Sequence, residues 1–325
     1  MSAYATEKAV AIAAVTAAAK LCQYVRKNTL ENAMEKDDKS PVTIADYGAQ
    51  AVVCKALLES FPTDPVVAEE DAGNLCGRNL ERVTECVQTV ESQANHEDIP
   101  RWINHGNGTV SQRYWTLDPI DGTKGFLRGD QYAVALALVA DGQVQVGVMA
   151  CPALEEAGAL FVAVRGQGAT MQRLSTHDGN VSTSSSPPSI RVSNENPRMV
   201  ESWESAHSNQ PLQKAIAAAT GMTTDSIRMD SQAKYGIVAS GQAALYLCLP
   251  NPGKPHYKEN IWDHAAGCLV VEEAGGTVTD MHGNCLDFTQ GEKLMGTGVV
   301  VSNGDIHFKV LQALQQHLDG KAPDK

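Results

Sequence analysis

The chain has 325 residues, 43% of them hydrophobic but only 5% aromatic, which suffices for one large domain or two lobes around an aliphatic, Ala- and Val-rich core. The formal charge of −12, from 26 basic and 38 acidic residues, argues against a non-specific binder of nucleic-acid polymers, because phosphate backbones are held by Lys and Arg. A small anionic substrate remains open where a local cationic site exists, and metal ions can supply that charge. The eight cysteines form no CxxC pair and several lie in apolar runs such as "AVVCKALL", so they read as reduced, packed thiols of a cytosol-like compartment.

The opening "MSAYATEKAVAIAAVTAAAKLCQYVRKN" predicts a long Ala-rich helix with Ile12, Val15, Ala19 and Cys22 at helical spacing. Glu7 and Lys8 interrupt its start, which fits neither a secretory signal nor a transit peptide. No apolar run is read as reaching the ~20 residues that span a bilayer. The expected location is therefore the cytoplasm, without membrane attachment and as a monomer. A second helix is predicted from about Ile44 to Ser60, stopping before Pro62, followed by the strand "PVVAEED". Residues 74–111 read as an irregular excursion with one helical piece, "LERVTECVQTVES". A strand follows over Tyr114–Leu117. "YAVALALVADGQVQVGVMACP" alternates on both sides of Asp141-Gly142 and predicts a hairpin, and "GALFVAVRGQGATMQRL" predicts another around Gly166–Gly168.

Residues 175–189, "STHDGNVSTSSSPPS", are the best linker candidate. Beyond them strands and helices alternate: "IRVS", the helix "NQPLQKAIAAATG", "AALYLCL", the helix "WDHAAGCLVVEEAGG" starting near Asp263, "TVTD", "GVVVSN" and a last helix "IHFKVLQALQQHL". The expected organisation is an α+β lobe over residues 1–180, carrying most of the candidate ligands, and an α/β lobe over 181–325.

The acids fall where structure normally avoids them. Glu69, Glu70 and Asp71 follow the apolar "VVA"; Asp118 and Asp121 stand three apart in "LDPIDGT"; Asp46 opens the second helix and Asp263 another. Carboxylates clustered at element ends repel one another and are costly to desolvate, but become favourable together when they share divalent cations. Oxygen-only donors suit hard ions, Mg²⁺ first. In "DPIDGT", Pro119 stiffens an expected turn, Gly122 permits close backbone approach, the Ile120 carbonyl is a further potential ligand and Thr123 offers a hydroxyl. Each feature also has a plain structural reading: Asp-Pro and Asp-Gly are ordinary turn dipeptides, and Asp263 and Asp46 suit an N-cap or helix dipole. Taken from spacing alone, the four segments need not meet.

"VVAEED", "WTLDPIDGTKGFLRGDQYAVALAL" and "IWDHAAGCLVVEEAGG" resemble the lithium-sensitive, Mg²⁺-dependent phosphatases of the inositol monophosphatase superfamily. "SPVTIADYGAQ", "MDSQAKYG" and "ENIWDHAAG" are similar to its branch acting on 3′(2′),5′-bisphosphate nucleotides. The resemblance implies a two-lobed, layered αβαβα fold with two or three Mg²⁺ between the lobes. It implies Glu69, Asp118, the Ile120 carbonyl, Asp121 and Asp263 as metal ligands, with Asp46 and Thr123, helped by Glu69, activating the attacking water. Gly122 and Thr123 would meet the scissile phosphate, His207 the base, and Ser231, Lys234 and Asp263 the nucleotide. The implied reaction is hydrolysis of adenosine 3′,5′-bisphosphate to AMP, and of 3′-phosphoadenylyl sulfate, within sulfur metabolism. Two alternatives stand beside it: phosphatase activity on inositol 1,4-bisphosphate, and a nucleotide-binding sensor with weak catalysis. One departure is visible: Cys248, in "YLCLP", stands where the family usually has Arg, so either Lys254, Lys258 or Arg228 supplies the missing charge or nucleotide binding is weaker or altered.

Overall fold

A computed structural model describes residues 3–29, 34–35, 41–42, 44–174, 187–203, 209–254 and 256–320. In chain order the elements begin with α1 (Ala5–Thr29), the short pair β1 (Met34–Glu35) and β2 (Pro41–Val42), and α2 (Ile44–Ser60). Next come β3 (Val66–Ala68), α3 (Gly77–Gln88), α4 (Asp98–Asn104), β4 (Arg113–Asp121) and α5 (Thr123–Arg128). The two expected hairpins are β5 (Ala133–Ala140) with β6 (Gln143–Cys151), and β7 (Ala159–Val164) with β8 (Ala169–Arg173). The rest is β9 (Ser189–Ile190), β10 (Met199–Glu201), α6 (Gln210–Ala219), β11 (Ile227–Arg228), α7 (Ala233–Ala239), β12 (Leu245–Cys248), α8 (Ala265–Glu273), β13 (Thr277–Thr279), β14 (Val299–Ser302) and α9 (His307–Leu318).

Seven strands form one sheet in the order β3-β4-β5-β6-β7-β8-β9, antiparallel except for the parallel β3–β4 pair. A second sheet runs β11-β10-β12-β14-β13. Both faces of the first sheet are covered, and β5 shows how. Val134, Leu136 and Leu138 join the core beneath α1 and α2, while Ala133, Ala135 and Ala137 face the core shared with α7 and α8. Side-chain alternation thus sends bulk to one side and small residues to the other, and α8 settles close. A Cβ on Gly147 of β6 would lie 2.8 Å from the Ala266 carbonyl oxygen, so that approach requires glycine. The second sheet shares its inner face, through Val200, Tyr246, Val278 and Val301, with the same α7–α8 layer. Its outer face packs on Ile216 of α6 and Val310 and Leu314 of α9. The layers are α1/α2, sheet, α7/α8, sheet, α6/α9, which is the expected αβαβα arrangement.

Several details differ from the sequence reading. The excursion of 74–111 contains α4, seven residues whose Ile99, Trp102 and Ile103 are buried, a run too short for its periodicity to register. "IRVS" shrinks to Ser189–Ile190 and pairs with β8 at the edge of the first sheet. The linker candidate lies outside the described residues except for 187–189. Contrary to the expectation for the N-terminus, Ala5–Asn28 is long and apolar enough to cross a bilayer. In this fold its Ala11, Val15, Ala18, Leu21 and Cys22 are buried in the outermost core. The same apolar stripe serves a core helix.

Candidate active site

The two aspartates of "LDPIDGT" are not in a turn. They are both on β4, which continues through Asp121 with a break in register: Asp118 pairs with Ala135 and Asp121 with Ala133. Three steps on β4 therefore span two on β5, the signature of a β-bulge. The consequence is geometric. In a regular strand, residues three apart point to opposite faces. The extra residue returns Asp121 to the side of Asp118, the face that meets α8. Pro119, which has no N–H to give to a ladder, is tolerated at such a bulge. Gly122 then turns the chain at φ 86°, and a Cβ there would stand 3.0 Å from Ser231 Cβ, so the position needs glycine on both counts. Thr123 opens α5, and its hydroxyl donates to the Ile120 carbonyl at 3.2 Å.

Asp263 arrives from a distant stretch of the chain, one residue before the cap of α8. That cap is His264, which makes no side-chain capping bond, so Asp263 is not the N-cap. Asp118, Asp121 and Asp263 each offer an oxygen, and these oxygens lie within 4.8 Å of one another. Gln232, buried, joins the two halves. Its N–H donates to an Asp121 oxygen, its side-chain amide donates to the Trp262 carbonyl at 2.9 Å, and its side-chain carbonyl accepts from Gly267 N–H at 3.1 Å.

Burial pushes the Asp118 carboxyl well above its ordinary range, and the charges of Glu69, Asp121, Asp263 and Asp46 push it further. Burial and Asp263 raise Asp121 to about 6, against the opposing pull of Lys234 and the Gln232 N–H. Burial also raises Asp263. One oxygen of Asp118, Oδ1, has no hydrogen-bond partner among the described residues although it is buried. Three buried carboxylates whose oxygens converge, all raised and one of them with an unpartnered oxygen, fit a divalent cation held by oxygen donors.

This cluster floors one end of a cleft of about 680 Å³. Lys234 of α7 lines it, 5% exposed, with its ammonium 5.2 Å from the centre of the Tyr246 ring. Burial lowers the Lys234 pKa, while Asp121, Asp230 and Asp263 act to keep it charged. Ser231, at φ 68°, also lines the cleft, in a left-handed conformation that costs a serine about 1–2 kcal/mol. Cys248 lines it too, with Sγ 3.5 Å from a Glu259 oxygen, and burial followed by the Glu259 charge pushes its thiol up. Of the three cations that stood to replace an arginine there, only Lys254 lines the cleft. Arg228 is tied to the buried Glu201 at 2.9 Å, and Lys258 donates to the carbonyls of Met295 and Gly296 at 2.8 and 2.9 Å.

Residues 3–319 match the inositol monophosphatase family. The chain belongs to this family. Among its relatives, a rice protein named 3′(2′),5′-bisphosphate nucleotidase is 43% identical, the match covering 96% of this chain and 94% of that one. A fission-yeast protein of the same name is 40% identical with 94% of each chain covered. An Arabidopsis thaliana protein named as a probable 3′(2′),5′-bisphosphate nucleotidase is 41% identical over 97% of this chain and 96% of that one. Solved structures share the fold: the extragenic suppressor protein suhB from Bartonella henselae (TM-score 0.67, 22% identity, 96% and 99% covered) and an IMPase from Thermotoga maritima (TM-score 0.64, 23% identity, 95% and 97% covered).

Within the family fold, Glu69, Asp118, Ile120, Asp121, Gly122, Thr123, Ser231, Lys234 and Asp263 all line the one cleft, although they come from four separate stretches of sequence. Asp46 is not among the lining residues. It is buried on α2, near enough for its charge to raise Asp118. His207 lies outside the described residues. Sequence reasoning missed Gln232, Tyr246, Asn260 and Lys293. Gln232 and Asn260 sit inside quoted motifs, and their amides were the available signal. Lys293 carried none, since it reaches the cleft through a pairing with a segment more than thirty residues earlier.

Proposed function

We propose that this chain is a Mg²⁺-dependent phosphomonoesterase that removes the 3′-phosphate of adenosine 3′,5′-bisphosphate, giving AMP and inorganic phosphate, with 3′-phosphoadenylyl sulfate as a second substrate. The observation that carries the reading is the pairing, in one cleft, of the Asp118–Asp121–Asp263 cluster with the buried Lys234. The named nucleotidase relatives, similar over nearly the full length, support the nucleotide substrate. Glu69, Asp118, the Ile120 carbonyl, Asp121 and Asp263 would hold two or three ions. When bound, Mg²⁺ supplies Lewis acidity at the phosphoryl oxygens and lowers the pKa of water beside it.

The remaining steps belong to side chains. The Thr123 hydroxyl takes the proton of the attacking water as it passes its own to Asp46, which lies behind the cleft, and Glu69 orients that water. As the new P–O bond forms, the P–O3′ bond breaks in line with it, and the 3′ oxygen leaves, taking a proton from a solvent water. No bond to the protein forms. The Gly122 N–H and Thr123 hydroxyl meet the scissile phosphate, while Lys234 and Ser231 hold the nucleotide. Lys254 is the cation placed to stand in for the arginine replaced by Cys248. His207 joins this set as the base contact by its sequence position alone. The same reading carries a division into lobes 1–180 and 181–325, sensitivity to lithium, a place in sulfur metabolism, and a monomer in the cytoplasm.

The test is product analysis in ¹⁸O-labelled water by phosphorus NMR. The reading expects AMP, with one labelled oxygen in released phosphate and none in AMP. Label in the nucleotide, or adenosine 3′-phosphate as product, contradicts it.

A further inference from the structure

Asp263 does not sit in the cleft unsupported. Asn260 donates to the same carboxylate oxygen twice, from its backbone N–H at 3.3 Å and from its side-chain amide at 3.1 Å. Asn260 is itself held from the other side. It forms an isolated antiparallel bridge with Lys293, flanked by Leu294 N–H to the Glu259 carbonyl and Ile261 N–H to the Glu292 carbonyl, both 2.9 Å. Across this bridge the Lys293 ammonium donates to the Asn260 side-chain oxygen, and it lies 5.6 Å from the centre of the Tyr257 ring.

An ammonium group has donors only, so it can meet an amide at its oxygen alone. Lys293 thereby commits the Asn260 amide to one orientation, with its NH₂ toward Asp263. Without the lysine, the amide is free to turn its oxygen to the carboxylate, which would repel it. Two donors on one oxygen of Asp263 fix the carboxylate plane and leave its remaining lone pairs for a cation held jointly with Asp118 and Asp121. We propose that Lys293 and Asn260 form a clamp that positions Asp263 and sets the affinity of the site for its divalent cation. This rests on the metal reading given under Proposed function, and it makes Lys293 a positioning residue rather than a substrate contact.

The test is Mn²⁺ binding to the metal-free protein, followed by electron paramagnetic resonance, without substrate. Lys293→Met is expected to weaken binding by roughly 10-fold, within the range seen when an outer partner of a ligand is removed. Asn260→Ala should do the same, and Lys293→Arg should keep affinity near wild type, because a guanidinium also has donors only. Activity lost in Lys293→Met at low metal should be recovered with excess metal, and thermal melting checks that each variant is folded. Unchanged Mn²⁺ affinity in a folded Lys293→Met overturns this inference alone, as does a raised KM for nucleotide with unaltered metal affinity. If the wild-type protein binds no Mn²⁺, the metal reading itself falls, and the clamp with it.

Discussion

The two walls of the cleft are built in opposite ways. On the first wall, Asp118, Ile120, Asp121, Gly122 and Thr123 lie within six consecutive residues where β4 gives way to α5. The β4 bulge brings Asp121 to the side of Asp118, and Gly122 then turns the chain into α5, where Thr123 stands first. On the second wall, Ser231, Lys234, Tyr246, Cys248, Asn260, Asp263 and Lys293 come from segments spread over more than sixty residues, which tertiary packing brings together. The contrast teaches where each kind of information is held. The first wall's candidate ligands are written contiguously, whereas the second wall, which supplies both the ligand candidate Asp263 and the cation Lys234, is assembled from separate segments.

The sharpest way to break this comparison is to remove the bulge. Deleting Ile120 should restore regular pairing with β5 and turn Asp121 to the opposite face. Mg²⁺-dependent phosphate release should fall to background while circular dichroism still reports a folded protein. Residual turnover would show that the bulge does not set the site. Next in size, Asp121→Asn or Asp263→Asn should lower kcat by more than the roughly 100-fold associated with losing an outer partner. If kcat stayed within a few-fold, measured at saturating metal, those carboxylates would not be shared ligands.

At Lys234 the effect should shift to KM. Lys234→Met removes a charge-assisted contact, and a loss of about 1.5–3 kcal/mol corresponds to a KM increase of roughly 10- to 100-fold with kcat little altered. An equal fall in kcat would place Lys234 in the chemistry instead. The smallest expected effect is on stability. Asp121 is raised from its ordinary value to about 6, so the folded protein binds that proton more tightly than the unfolded chain does. The resulting stabilisation is complete at low pH and is lost as pH rises through about 6. In metal-free protein, wild type compared with Asp121→Asn should therefore lose on the order of 1 kcal/mol between pH 5 and pH 7, measured by urea unfolding. Saturating Mg²⁺ should abolish the difference, and a difference that persisted would mean that the carboxylate does not face the cation.

Much of this was legible in the sequence, for identifiable reasons. The hairpins showed because alternating apolar residues flank Asp141-Gly142, α2 because a long run stops before Pro62, and α9 because its periodic run is long. The acids of the first wall showed because they interrupt apolar strands. The bulge did not show, since "DPIDGT" has the composition of a turn and only the register with β5 distinguishes the two. α7 was hidden because "AKYGIVA" is buried on all sides and has no polar face to mark its period. Lys293 and Asn260 were hidden because their roles depend on one bridge between distant segments, which no local pattern encodes.

The measurement that tests the central claim most directly is phosphate release, with Mg²⁺ and with EDTA, from adenosine 3′,5′-bisphosphate, inositol 1,4-bisphosphate, inositol 1-phosphate and AMP side by side. The account predicts rapid Mg²⁺-dependent release from the adenosine bisphosphate, little from either inositol phosphate and none from AMP. Preference for an inositol phosphate, or release that survives EDTA, would contradict it.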